Sequence, residues 1–147
     1  MTSLITLGAA GWDRLEWADA FYPADMPEEW RLTYFNTQFG CVFLAAPLWR
    51  QAGDAAHAAW AADIHDQFIF LLEDACPEEI PEPLRGHAVG LGRGDARLLW
   101  FDRGTDLKAL AARLTQADAD APRYLLSGDG DLAQIERVRT LLELLGL

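Results

Sequence analysis

GWDRLEWADAFYP, residues 11–23, sits directly behind the apolar run Leu4 to Leu7. That run, closed by Gly8-Ala9-Ala10-Gly11, reads as a buried strand from about Ser3 to Leu7, ending where small residues let something come close. The connection after such a strand is normally short and polar. Here it carries Trp12, Trp17, Phe21 and Tyr22, at spacings too irregular for one helical stripe. Rings in that place either line a ligand site or plug the end of the core, and the residues alone leave both readings open.

Working outward, Pro27-Glu28-Glu29 opens a helix, with proline and acidic residues in its first turn, that carries Trp30, Tyr34 and Phe35 toward Phe39. Gly40 stops it. CVFLAA, Cys41 to Ala46, is short and continuously apolar, as expected of a strand covered on both faces, and Pro47 ends it. An alanine-rich helix from about Asp54 to Ile64 leads to a third buried strand at Gln67 to Leu72. Residues Ala75 to Asp95 break the rhythm with three prolines and four glycines, and no regular element is expected there. Alternation resumes with a strand at Ala96 to Phe101, a helix opened by Thr105-Asp106 with Leu107, Leu110 and Leu114 on one stripe, and a strand at Arg123 to Leu126. Asp131-x-x-Gln134 resembles a capping box for a last helix running through Leu145. Five strands alternating with four helices predict an α/β fold with a mainly parallel sheet and crossover helices.

Residues 1–147, 51% of them hydrophobic, fit one domain with a core that needs no covalent staples. A formal charge of −11 repels phosphate backbones and anionic headgroups, so neither nucleic-acid nor membrane partners are expected. Cys41 and Cys76 lack the spacing of a zinc site or a disulfide framework. No window approaches the roughly 18 apolar residues of a membrane span, and a cytoplasmic setting is expected.

The opening stretch resembles the YecE-like family, a bacterial TIM-barrel group of unknown function, whose first strand and loop read G-T-S-G-W-x-Y-x-x-W-x-x-x-F-Y-P. Gly8, Gly11, Trp12, Trp17, Phe21, Tyr22 and Pro23 fall at matching positions, followed by Leu32, Tyr34, Phe35, Phe39 and Val42. The tail is similar to the family's last two strands and helices at Arg97 to Phe101, Leu110-Ala111, Tyr124 to Ser127 and Arg137 to Leu145. The resemblance implies barrel strands one to three plus the last two, with the middle missing. A closed (β/α)8 barrel takes about 250 residues, so this chain implies a partial barrel of order 3-2-1-5-4, counted along the chain. Its former inner wall would be bare, and a second copy or a protein partner is expected to cover it. The alternative is a doubly wound open sheet with helices on both faces.

Parallel α/β folds bind ligands at the C-terminal strand ends. There the chain departs from the family: Phe43 and Ala45 replace an acidic residue and an asparagine, Leu48-Trp49 a Phe-Tyr pair, Leu72-Glu73 a lysine, and Leu125-Leu126-Ser127 a Phe-Asn-Asn. Such loss of polar groups suggests a non-catalytic, shortened scaffold that self-associates or binds a partner. The alternatives are a small hydrolase or phosphoryl-acting enzyme, or a sensor of a small molecule, built on an aromatic pocket of Trp12, Trp17, Tyr22 and Trp49 with Glu73, Asp102, Arg103 and Ser127. Glu73 and Asp102 could divide acid and base work, or be solvated loop acids. Ser127-Gly128-Asp129-Gly130 stands where a phosphate nest would, but two adjacent carboxylates oppose a phosphate. His57 and His65 lie about 80° apart on a helix wheel, poor for sharing a metal. No cofactor and no metal are expected.

Overall fold

In a computed structural model of the chain, which describes residues 5–116 and 122–147, β1 (Ile5–Ala10) turns Ile5, Leu7 and Ala9 to one face and Thr6, Gly8 and Ala10 to the other. The strand runs past Leu7 through the small residues expected to close it, while Ser3 and Leu4 of the expected strand lie outside the described residues. Close approach is the reason for glycine here: a Cβ on Gly8 would overlap the carbonyl and Sγ of Cys41 on the neighbouring strand.

That neighbour is β2 (Cys41–Leu44), and β3 (Ile69–Glu73), β4 (Ala88–Leu91), β5 (Leu98–Phe101) and β6 (Arg123–Ser127) complete the sheet. Every pairing is parallel. The sheet has six strands in the order β4-β3-β2-β1-β6-β5, which corrects the expected five in the order 3-2-1-5-4. The difference is β4, seated outside β3; β1 lies between β2 and β6. β4 falls in the Pro/Gly segment read as irregular. Its sequence, Ala-Val-Gly-Leu, is short and broken by a glycine, a poor strand signature. The glycine is required by packing, since a Cβ on Gly90 would overlap the carbonyl of Ala75.

The helices are α1 (Arg31–Gln38), α2 (Ala46–Gln51), α3 (Asp54–Ala62), α4 (Leu107–Gln116) and α5 (Leu132–Leu145). α2 was not expected. Pro47, read as ending a strand, sits in the first turn of a helix, where its missing N–H costs nothing. The expected capping box of α5 is also corrected. Asp131 makes no side-chain cap bond, and Gln134 is buried with its Nε2 donating to the Thr105 carbonyl at 3.1 Å.

Helices and loops pack on the outer face of the sheet, where Ala9, Val42, Leu44, Phe70, Leu72 and Leu125 meet Trp17, Phe35, Phe39, Leu110, Ile135 and Val138. The inner cluster contains strand residues only, so the doubly wound alternative, which puts helices on both faces, does not describe this sheet. Nor is the inner wall bare. Cys41, Phe43, Leu71, Leu91, Leu98, Tyr124 and Leu126 are each at most 7% exposed in the single chain. The cause is curl. The outermost strands β4 and β5 are joined by residues 92–97 alone, which span at most roughly 25 Å. The sheet rolls into a half-barrel whose inner side chains largely fill it themselves, with Ile69, Val89 and Trp100 partly buried beside them.

Candidate functional site

At the C-terminal ends of the strands the residues singled out from the sequence separate into three places. Trp12, directly after β1, is half-buried and meets Trp60 of α3 edge to face, ring centroids 5.2 Å apart. Together with Leu44 and Leu48 these rings line a hollow of about 790 Å³ whose remaining wall carries Asp13, Arg14, Glu28 and Glu29. Arg31, over the ring of Tyr22, pairs with the Asp13 carboxylate. Arg14 is turned inward: one guanidinium nitrogen donates to the carbonyls of Ala10, at 2.9 Å, and Gly128, at 3.2 Å, while the other faces Glu16.

The other aromatic residues of the opening stretch hold the loop rather than line the hollow. Trp17 is fully buried, stacked beside Phe35 and Phe39, and its indole N–H donates to the Gly130 carbonyl at 2.8 Å. Tyr22 is buried with its hydroxyl donating to the Trp12 carbonyl. Burial pushes its pKa far above the usual tyrosine value despite the opposing charge of Arg31. Trp49, on α2, is buried and donates to the backbone carbonyl of Glu73 at 3.0 Å.

The mouth of the half-barrel is the second place. The Glu73 side chain accepts from the Ala46 N–H at 2.9 Å and faces the Arg93 guanidinium at 3.5 Å. Arg93 lies over the rings of Phe43 and Trp100, at 4.9 and 5.0 Å, and its carbonyl accepts from the Trp100 indole. Phe43 stands where the resemblance implies an acidic residue, and the arginine rests on it as a stopper.

Asp102, Arg103 and Ser127 form the third. Asp102 accepts from the Gly104 N–H at 2.9 Å and closes its own turn. The Arg103 N–H donates to one carboxylate oxygen of Asp129 at 2.9 Å and the Asp131 N–H to the other at 3.1 Å, while the buried Ser127 hydroxyl accepts from the Gly130 N–H. Burial would raise the Asp129 pKa, but these backbone N–H groups outweigh it and hold the carboxyl below its usual range. The loop with the form of a phosphate nest thus binds its own carboxylate. Glu73 and Asp102 each answer to different partners, and no hydrogen bond joins them among the described residues.

The remaining candidates for chemistry are committed as well. The buried His57 places Nε2 2.8 Å from the Trp49 carbonyl, and His65 Nδ1 accepts from the Gln67 N–H. Among the described residues no three His, Cys, Asp or Glu side chains gather as a metal site, and no helix is long and apolar enough to cross a membrane. Burial pushes the Cys41 thiol far up from its ordinary pKa, which disfavours the thiolate.

Trp60, Glu28, Glu29, Arg14 and Arg93 were not anticipated. Trp60 is the one large aromatic of an alanine-rich helix, a signal available in the sequence; the glutamates read simply as a helix start.

Every described residue around the hollow falls between Ala10 and Trp60. Residues 6–73 match DUF72, a protein family of unknown function. The YecE-like resemblance is thereby shown for β1 to β3 and their connections, whereas β4 to α5 lie outside the match. No curated protein and no solved structure matches the chain. The DUF72 segment accordingly contains all the described lining of the hollow, together with Glu73 as its last residue, and none of the Asp102–Asp129 network.

Proposed function

We propose that this protein is a shortened, non-catalytic relative of the YecE-like barrels that binds a small molecule in the Trp12 hollow. One contrast carries the reading: space is left beside Trp12 and Trp60, while the other polar groups at the strand ends are spent on the fold. Glu73 is ion-paired, Asp129 accepts a backbone N–H on each carboxylate oxygen, and Ser127 accepts within its own turn. A general base must reach the proton it takes, and a nucleophile needs a base beside it. Glu73, Asp129 and Ser127, each engaged by another group of the fold, offer neither arrangement. The unbridged thiols of Cys41 and Cys76 fit a reducing, cytoplasmic setting.

The test is a thermal-shift and tryptophan-fluorescence titration against a library of small metabolites, followed by mass spectrometry of every compound that binds. Saturable binding lost in Trp12→Ala, kept in Asp102→Ala and accompanied by no turnover is the expected result. Conversion of a bound compound would make the protein an enzyme, and a library without a saturable hit would overturn the binding reading.

Self-association is a second reading, now moved away from the sheet. On α4 and α5 an apolar groove lined by Leu107, Leu141 and the 80%-exposed Leu144 is flanked by Glu136 and Arg137. A two-fold dimer needs a self-complementary patch, and adjacent opposite charges beside leucines supply one. Sedimentation equilibrium should then find a dimer that Leu144→Glu dissociates; a monomer at high micromolar concentration sinks this reading.

A further inference from the structure

The charges around the hollow do not cancel, and this bears on what it would hold. Asp13 is answered by Arg31 and Arg14 by Glu16, which leaves Glu28 and Glu29 with no ion-pair partner among the described residues. Among the described residues Arg14 is the only cationic side chain on the wall, and its Nη2 donors are directed to two backbone carbonyls. The opposite wall is apolar and aromatic, Trp12 and Trp60 with Leu44 and Leu48. The whole chain, these residues included, carries a formal −11, which raises the local concentration of cations and lowers that of anions. An indole attracts a cation through its ring quadrupole, and a flanking carboxylate adds Coulomb attraction without requiring a fixed geometry.

We infer that the Trp12 hollow takes an organic cation, an ammonium group carried on an apolar body. The inference rests on the reading of this hollow as a binding site and adds the class of ligand. The ammonium lies toward Glu28 and Glu29, and the apolar body lies against Trp12, Trp60, Leu44 and Leu48. A small metal ion is the wrong occupant, because it would leave the apolar wall unused and lacks a gathered set of oxygen ligands.

Three probes of nearly equal size and different charge test it on the full-length chain: benzylammonium, benzyl alcohol and benzoate, followed by NMR through the tryptophan indole N–H signals. Benzylammonium is expected to shift the Trp12 and Trp60 signals saturably and to bind at least about tenfold more tightly than benzyl alcohol. Changing Glu28 and Glu29 together to Gln should weaken benzylammonium roughly fivefold, leave benzyl alcohol unaffected and remove most of the salt dependence. Trp12→Leu, which keeps an apolar side chain in place, should cost the cation more than the alcohol. Equal affinity for benzylammonium and benzyl alcohol, or tighter binding of benzoate, would overturn the inference while leaving a binding site in place. No saturable shift with any probe would also overturn it, and the metabolite titration then decides separately whether the hollow binds anything.

Discussion

Two places at the same end of one sheet have opposite fates. Beside β1, Trp12 and Trp60 border an open hollow. At the mouth of the half-barrel the Arg93 guanidinium lies over the rings of Phe43 and Trp100, with Glu73 facing it from the side. Both places are aromatic and both carry charge, so composition does not separate them. What differs is whether the charges find each other. At the mouth the acid and the base are paired; at the hollow two acids are left over. Capacity to bind is better judged from uncompensated groups around a void than from the residue types themselves.

The sharpest test sets two tryptophans of the same loop against each other. Trp17→Ala removes a fully buried indole, its stacking on Phe35 and Phe39 and its bond to Gly130, and should cost about 3–5 kcal/mol or prevent folding. Trp12→Ala, at a half-buried residue facing a void, should cost about 1–2 kcal/mol and leave the far-UV spectrum intact. Urea denaturation of both variants measures the difference. Equal losses would mean that Trp12 is core, and the hollow would lose its standing as a site.

That division was only half legible. The sequence places Trp12 and Trp17 in one irregular loop, where spacing cannot say which ring turns in. The decision comes from Gly130 and the α1 aromatics, more than ten residues away in sequence. Buried continuous strands such as Cys-Val-Phe-Leu announce themselves, and so does the amphipathic stripe of α4. β4 does not, because its glycine answers to the carbonyl of Ala75 and no local pattern encodes that contact. The expectation of a bare inner wall failed for the same reason. Without β4, the curl that brings Leu91 and Leu98 into one cluster could not be foreseen. Arg93 was hidden in a Gly-Arg-Gly run whose only visible feature was flexibility.

Gly90→Ala therefore probes the mouth through the strand that closes it. The added methyl group meets a backbone carbonyl, which cannot rotate away as a side chain would, so β4 must shift or unpair. A loss of about 1–3 kcal/mol is expected. Amide exchange should show the loss of protection spreading along β4 to its pairing with Phe70 to Glu73. If protection there survives while stability falls, the half-barrel does not depend on β4 for its closure.

Arg93→Ala should act more gently, by about 1 kcal/mol, because the guanidinium is half-exposed and its pairing with Glu73 is screened by water. Arg93→Met, which restores apolar contact with Phe43 and Trp100, should recover part of that loss. Neither variant should change binding at the Trp12 hollow. A change there would show that the two places communicate, and the contrast between them would no longer hold.

The smallest effect concerns Asp129 and has a pH signature. Its carboxylate is held below the ordinary carboxyl range by backbone N–H groups, so the folded state favours the ionised form more than the unfolded state does. A group shifted in this direction contributes stability above its unfolded pKa of about 3.9 and loses that contribution as the pH falls through the lower folded value. Asp129→Asn keeps one acceptor oxygen but no charge. At neutral pH it should destabilise the chain by less than about 1 kcal/mol, since the site is at the surface. Between roughly pH 7 and pH 5 the gap between wild type and variant should be flat, and below about pH 4 it should narrow steadily. Urea midpoints across that range measure it. A gap that persists unchanged in acid would mean that the turn is held by hydrogen-bond geometry alone. The loop after β6 would then no longer count as a nest filled by the chain's own charge, and an external anion could compete for the N–H groups of Arg103 and Asp131.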